Sequence, residues 1–417
     1  MSAQPPKRAL VLSGGGARGA YEAGVVRYIL EALPDHLGYR PRFDIVCGTS
    51  VGAINAAWVA ATADQPGKCV QRMQVLWKSL VFSEAVKFSY GEIWRFLRRN
   101  LLGQRFSLPA LQGPRKSPHR EGGFLKTGFF DRIVRDEIPF HKIGENLEAG
   151  LLDAVSVSAT NIITGQTTVF AHSNRGLPPW TRDVRRVAHR GALTPEKVLA
   201  SAAIPLLFPA VRIGQYWYCD GGLRQNTPIS PALRLGADRV LVVALRGRTL
   251  EERVTPPPEM LSRYREHPTQ AFVIGKLLDA LLLDPLEYDL DVLERVNAIL
   301  EYGGEAFGED VFVDRLNEVW RAHRGQGYRV VRPLLLRPSE DLGALAARFA
   351  RAQPDDFWGS LPLRTMSKRA LEAEGAAESD FLSYLLFDGG YTGRLLEMGY
   401  RDAAAQREEL VAFFEDE

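Results

Sequence analysis

A chain of 417 residues with 46% hydrophobic and 24% charged side chains has the make-up of an ordinary folded globular protein, long enough for one large core or about two or three domains. Its formal net charge of +2 gives no electrostatic sign of a nucleic-acid partner, and none is expected. Three cysteines, Cys47, Cys69 and Cys219, exclude a disulfide framework, and none stands at the C-x-x-C spacing of zinc or dithiol sites.

A reducing compartment fits that cysteine usage. The N-terminal "MSAQPPKRALVLSGGG" has too short an apolar run for a signal peptide, and "VGAINAAWVAATA" falls well short of the roughly 20 residues that cross a bilayer. The expectation is a cytoplasmic protein, peripheral at membranes at most.

Residues 8 to 13 read as a buried strand, and Val25, Val26, Ile29, Leu30 and Leu33 fall at helical spacing after a glycine-rich loop. A second unit follows: "FDIVC" as a strand, "GTSVG" as a tight turn and "AINAAWVAAT" as an alanine-rich helix. From residue 64 to 123 the pattern loosens into basic and aromatic helical pieces and a Gly/Pro-rich loop, predicted as an insertion or lid. "AVSVSATNIITGQTTVFA" alternates as two strands joined near Thr164 and Gly165. "LTPEKVLASAAIP" has Thr194 as N-cap and Pro195 at the first helical position.

"QYWYCDGG" then reads as a strand ending in a turn, and "DRVLVVALR" as a further buried strand. The division predicted is a catalytic domain over 8–248, a helical insert over 249–327, and a returning strand "YRVVRPLLLRP" with a helical C-terminal region over 328–417. Strands interleaved with helices give an α/β sheet covered on both faces, with chemistry at the carboxyl ends of its strands. Glycine-rich turns at 14–19, 48–52 and 220–222 all follow such ends.

Gly48-Thr49-Ser50-Val51-Gly52 matches the G-x-S-x-G elbow, in which flanking glycines let a sharp strand-to-helix turn expose a serine hydroxyl. The competing reading is a structural small-residue turn. A serine nucleophile needs a base within hydrogen-bond reach. His267 and His323, the histidines that follow Asp220, sit in helix-end contexts, and His36, His119, His141, His172 and His189 lie in loop-like or charged surroundings. Asp220 differs: it follows "YWYC" and precedes Gly221 and Gly222, a setting in which burial raises a carboxylate's pKa. Its alternative is an Asp-Gly turn capping a hairpin.

Gly14, Gly16 and Gly19 also satisfy the dinucleotide fingerprint, which expects an acidic residue at the end of the next strand. That strand ends instead in Cys47, Gly48 and the serine. A loop turned toward Ser50 makes an oxyanion hole, with Gly15 and Gly16 donating and Arg18 adding positive charge.

"GGGARG", "GTSVG" and "DGG", in that order, together with "ASAAIPLLFPAV" and "DGGLRQNTPISPALRLGADRVLVV", resemble the patatin-like phospholipases over roughly residues 8 to 245. The resemblance implies a three-layer α/β/α sandwich of patatin type carrying a Ser–Asp dyad, with no metal and no cofactor. It makes Ser50 the nucleophile, Asp220 the general base, and Gly14, Gly15, Gly16 and Arg18 the oxyanion region, with Gly19, Gly48, Gly52, Gly221 and Gly222 supporting the turns. The second "DGG", Asp388-Gly389-Gly390, falls outside the family's pattern.

The implied activity is hydrolysis of a lipid ester, of phospholipase A or lysophospholipase type. An acyltransferase using the same residues, or a non-catalytic module binding a nucleotide or other ligand through the glycine loop, are the alternatives. "YGEIWRFLRRNLLGQRF", covering 90–106, is basic and amphipathic, as a lipid interface requires; an ordinary surface helix has the same pattern.

Overall fold

The computed structural model describes residues 5–85, 120–121, 128–176, 185–205, 207–247, 286–324, 327–358 and 376–415. The amphipathic stretch 90–106, His119, His267 and most of the 64–123 insertion lie outside them.

Ten described strands form one sheet. They are β1 (Arg8–Leu12), β2 (Ile45–Thr49), β3 (Arg120–Glu121), β4 (Ala154–Asn161), β5 (Thr167–Ser173), β6 (Arg186–Arg190), β7 (Ala210–Ile213), β8 (Tyr216–Asp220), β9 (Arg239–Val243) and β10 (Arg332–Leu336). The order β10-β9-β1-β2-β4 is parallel throughout. These are the near-continuous apolar runs that a doubly covered parallel sheet demands.

Alternation in β1 and β2 sends side chains to two separate cores. Leu10, Leu12 and Val46 face one, under helices Gly19–Glu31, Val51–Ala61 and Pro195–Ser201. Ala9, Val11, Ile45 and Cys47 face the other, under helices Ile229–Leu235 and Leu286–Phe307. The result is the α/β/α sandwich the sequence predicts.

The chain after residue 328 is woven into that sandwich. β10 pairs with β9 in the same sheet, and helix Gly389–Ala405 crosses helix Gly19–Glu31. At the crossing, a Cβ on Gly24 would run into the Leu396 carbonyl, and one on Gly399 into the Tyr21 carbonyl. Reciprocal glycines let the two backbones approach to contact.

The antiparallel part of the sheet places the site. β5 pairs with β4 along the whole of one edge, from Ala154 to Thr160. β2 therefore occupies the other edge as far as Thr49 opposite Ser158, and β8 enters the same edge from the far end, with Asp220 opposite Ala159. Two strands running toward each other thus stop at adjacent positions of a third. The carboxyl-end rule holds for each strand, although β8 is antiparallel to β4.

Candidate active site

Ser50 stands between β2 and helix Val51–Ala61 with φ 55° and ψ −124°, the one described non-glycine residue with positive φ. Such strain in a turn with a side chain is held only where surrounding packing fixes it. Here the flanking glycines make it feasible, since a Cβ on Gly48 would meet the Gly52 carbonyl and one on Gly52 the Leu12 carbonyl. The elbow is therefore pressed against β1 and against its own first helical turn.

The Ser50 hydroxyl donates to Asp220 Oδ2 at 2.6 Å. Asp220 Oδ1 accepts the N–H of Gly222 at 2.7 Å, and its own N–H and C=O are fixed by the Ala203 carbonyl and the Thr160 hydroxyl, at 2.8 and 2.9 Å. The carboxyl is wholly buried, and burial pushes its pKa up to about 7 even though the hydrogen bonds from Ser50 and Gly222 pull it down. A carboxyl in that range, bonded to a hydroxyl, can take a proton near neutral pH.

Gly221 lies where a Cβ would strike the Ser158 carbonyl, so the Asp-Gly-Gly turn sits directly on β4. Asp388 makes the same local contact with Gly390 N–H, at 2.9 Å, but there it caps helix Gly389–Ala405 at the surface. The two Asp-Gly-Gly turns differ in what faces the free oxygen, which no local pattern encodes.

The glycine loop splits into three jobs. Gly14 is stapled to Asn226: its N–H donates to the Asn226 carbonyl at 3.1 Å, and the Asn226 amide donates back to the Gly14 carbonyl at 3.0 Å. Gly15 and Gly16 keep their N–H groups off any partner among the described residues, and Gly16, at φ +56°, lines the same pocket as Ser50. Gly19 has no room for a side chain against Val51, which packs the starts of two helices together.

Arg18 points elsewhere than the sequence suggests. It is 3% exposed, and its guanidinium donates to Ser383 Oγ at 2.7 Å and to Asp380 Oδ1 at 3.0 Å. It also reaches the Leu245 carbonyl at 3.4 Å and lies 4.1 Å from the centre of the Tyr384 ring. Its charge is matched by Asp380 in helix Ala376–Leu385, so Arg18 anchors the loop instead of projecting charge toward the hydroxyl.

Two buried polar residues of the domain carry no recognisable pattern. Ser201, fully buried at the end of helix Pro195–Ser201, accepts the Ser50 N–H at 3.0 Å and donates to the Ser158 carbonyl at 2.6 Å. Glu22 is buried, its carboxyl held well above the usual range by that burial, and accepts from Asn55 Nδ2 at 2.8 Å. "ASAAIP" and the helical run around Glu22 hide both within ordinary helix sequence.

The hydroxyl opens into a pocket walled by Ile54, Leu76, Trp77, Phe130, Leu199 and Phe387. Nearly all of that wall is hydrocarbon or aromatic, suited to an alkyl chain. Among the described histidines, His36, His141 and His189 are exposed and His172 is part-buried on β5; His323 lies in helix Glu309–Arg324. Among the described residues, the hydrogen-bonding partners of the Asp220 carboxylate are Ser50 and Gly222.

A family model described as patatin-like phospholipase matches residues 10–233. The chain belongs to the patatin-like phospholipase family. Within this patatin domain lie Ser50, Asp220 and the glycine loop, whereas Asp380, Ser383, Tyr384 and Phe387 come from beyond it. A cGAMP-activated phospholipase of Pseudomonas aeruginosa is 29% identical over 231 residues, 55% of this chain and 56% of that protein, so the match spans about half of each. VipD from Legionella pneumophila aligns over 94% of this chain and 92% of its own at 14% identity, with a TM-score of 0.30, too low to equate the two architectures. Among the described residues of this patatin-family chain, no helix is long and apolar enough to cross a membrane.

Proposed function

We propose that the patatin domain hydrolyses lipid esters, of the phospholipase A or lysophospholipase type, through an acyl-enzyme on Ser50. The observation that carries this reading is the 2.6 Å hydrogen bond from the Ser50 hydroxyl to a buried Asp220 whose pKa stands at about 7. As Oγ attacks the acyl carbonyl, Asp220 takes its proton. Gly15 and Gly16 N–H groups hold the oxyanion, and Asp220 returns the proton to the departing alcohol oxygen. Water then attacks the acyl carbon, Asp220 again receives the proton, and fatty acid leaves as the Ser50 hydroxyl re-forms.

The acyl chain occupies the apolar pocket, which excludes water from the reacting carbonyl and strengthens the polar contacts around it. Ser201 holds the Ser50 N–H and so fixes the elbow.

Fluorophosphonate labelling followed by a phospholipid and lysophospholipid panel tests the reading. Labelling of the wild type at Ser50, its loss in Ser50→Ala, and release of free fatty acid are expected. Transfer of the acyl group to an added alcohol in preference to water would replace hydrolase by acyltransferase, and absence of labelling would remove the nucleophile.

A further inference from the structure

The turn joining β4 to β5 holds two adjacent isoleucines out to solvent, Ile162 at 49% and Ile163 at 66% exposure. Glycine, asparagine and serine are the usual residues of such a turn. The turn is braced: Asn161 Oδ1 accepts the N–H groups of Ile163 and Thr164 at 3.0 and 3.2 Å, and Gly165 N–H donates to the Asn161 carbonyl at 2.8 Å. Ile162 N–H donates to the Trp217 carbonyl at 2.9 Å, which ties this tip to the β7–β8 turn and its exposed Tyr216.

The tip stands at the dyad's end of the sheet. Asp220 pairs with Ala159, and β4 continues through Asn161 before the isoleucines begin, so at about 3.3 Å per residue they project roughly 10 Å past the dyad. The turns and strand ends beside them carry arginines. Segments 161–167, 185–188, 210–219 and 221–226 contain Arg185, Arg186, Arg212 and Arg224 and no aspartate or glutamate. Arg212 and Arg224 are exposed, and the Arg224 guanidinium comes within 3.4 Å of where a Gly165 Cβ would stand. The Arg185 carbonyl accepts the Thr167 N–H at 2.9 Å, and Arg186 faces Asp289.

We propose that this edge docks on an anionic bilayer, Ile162 and Ile163 entering the boundary between headgroups and acyl chains while Arg212 and Arg224 meet lipid phosphates. A small exposed apolar tip flanked by Arg212 and Arg224 suits insertion. A stable protein partner would need a contact of about 800 Å² per side. The proposal rests on the reading that the substrate is a lipid ester, and it gives that substrate a source.

The test uses the full chain in a Ser50→Ala background, co-sedimented with phosphatidylcholine vesicles with and without phosphatidylglycerol. Binding is expected only with phosphatidylglycerol, and I162S/I163S and R212E/R224E should each weaken it at least about tenfold. With Ser50 restored, both double variants should hydrolyse a soluble short-chain ester within about twofold of wild type, since none of the four side chains touches the dyad. A second readout guards against misfolding: T164C carrying a polarity-sensitive fluorophore should shift to the blue on adding anionic vesicles, the native cysteines being buried.

Undiminished vesicle binding by I162S/I163S overturns the proposal, as does an unchanged fluorophore signal. A wild-type dimer that I162S/I163S converts to monomer, with vesicle binding retained, would make the tip a contact between copies. If wild type hydrolyses no ester, the functional reading fails while vesicle binding still decides this one.

Discussion

Thr49 and Asp220 approach the same edge of β4 from opposite ends, Thr49 paired with Ser158 and Asp220 with Ala159. The backbone of one strand thus sets the separation of the Ser50 hydroxyl and the Asp220 carboxyl, and neither depends on a long loop for its position. Asp220→Asn tests this arrangement. Asparagine can keep the Gly222 contact but cannot accept a proton, so turnover should fall by at least about 10³-fold with the fold intact, measured as fatty-acid release beside a circular-dichroism spectrum. His267→Gln and His323→Gln should stay within about twofold of wild type; loss of turnover in either would shift the base to histidine.

The same carboxyl should imprint itself on the pH profile. Its pKa of about 7 arises from burial, and a carboxyl can take a proton only when ionised. The value of kcat/KM for a soluble ester should therefore rise about tenfold per pH unit up to a limb near 7 and level off above it. A limb near 4, the ordinary carboxylate range, would show that desolvation does not govern this site.

Stability should move the opposite way. Because folding raises the pKa above the unfolded value of 3.8, the folded protein holds a proton that the unfolded chain releases, and stability is lost as pH climbs from about 4 to 7. Asp220→Asn removes that loss. Its advantage over wild type in urea melts should be small at pH 4 and grow to at most about 4 kcal/mol by pH 8.

How much of this was legible differs from segment to segment. Strand-loop-helix order was plain around Gly14 and Ser50, because buried parallel strands are short apolar runs and glycines punctuate them. Ser50 and Asp220 could be picked out singly. Their meeting required knowing that β8 runs antiparallel into the edge β2 leaves vacant, which is a tertiary fact. Arg18 was legible as a residue but not as a direction: its side-chain partners Ser383 and Asp380 lie more than 360 positions away, in helix Ala376–Leu385. Ser201 was invisible because a buried serine in a small-residue helix looks the same whether or not its hydroxyl holds another residue's N–H.

The elbow's strain gives a comparison between two variants that lack the hydroxyl. Ser50 sits at φ 55°, where a Cβ is unfavourable and glycine is at ease. Ser50→Gly should therefore be more stable than Ser50→Ala by about 1 kcal/mol or more, in chemical denaturation at fixed pH. Equal stabilities would mean the backbone relaxes once the hydroxyl is gone. Gly48→Ala and Gly52→Ala should go the other way, each destabilising by about 1–3 kcal/mol through overlap with neighbouring carbonyls.

Arg18 and Asp380 form a buried pair, with side chains 4% and 9% exposed, that binds the glycine loop to a helix outside the patatin domain. Removing one partner leaves a charge in the interior, so Arg18→Met or Asp380→Asn alone should each destabilise by about 3–5 kcal/mol. The two together should cost less than their sum, a coupling that a double-mutant cycle reads directly. Catalysis should follow the loop: with Gly16 set against the Tyr384 carbonyl, a loosened helix Ala376–Leu385 misplaces the Gly15 and Gly16 donors. Loss of one such donor costs about 10²–10³-fold in kcat, so Asp380→Asn should lower kcat on a soluble ester while leaving KM within about twofold. An Asp380→Asn enzyme with unchanged kcat would mean that the loop holds its shape without the latch.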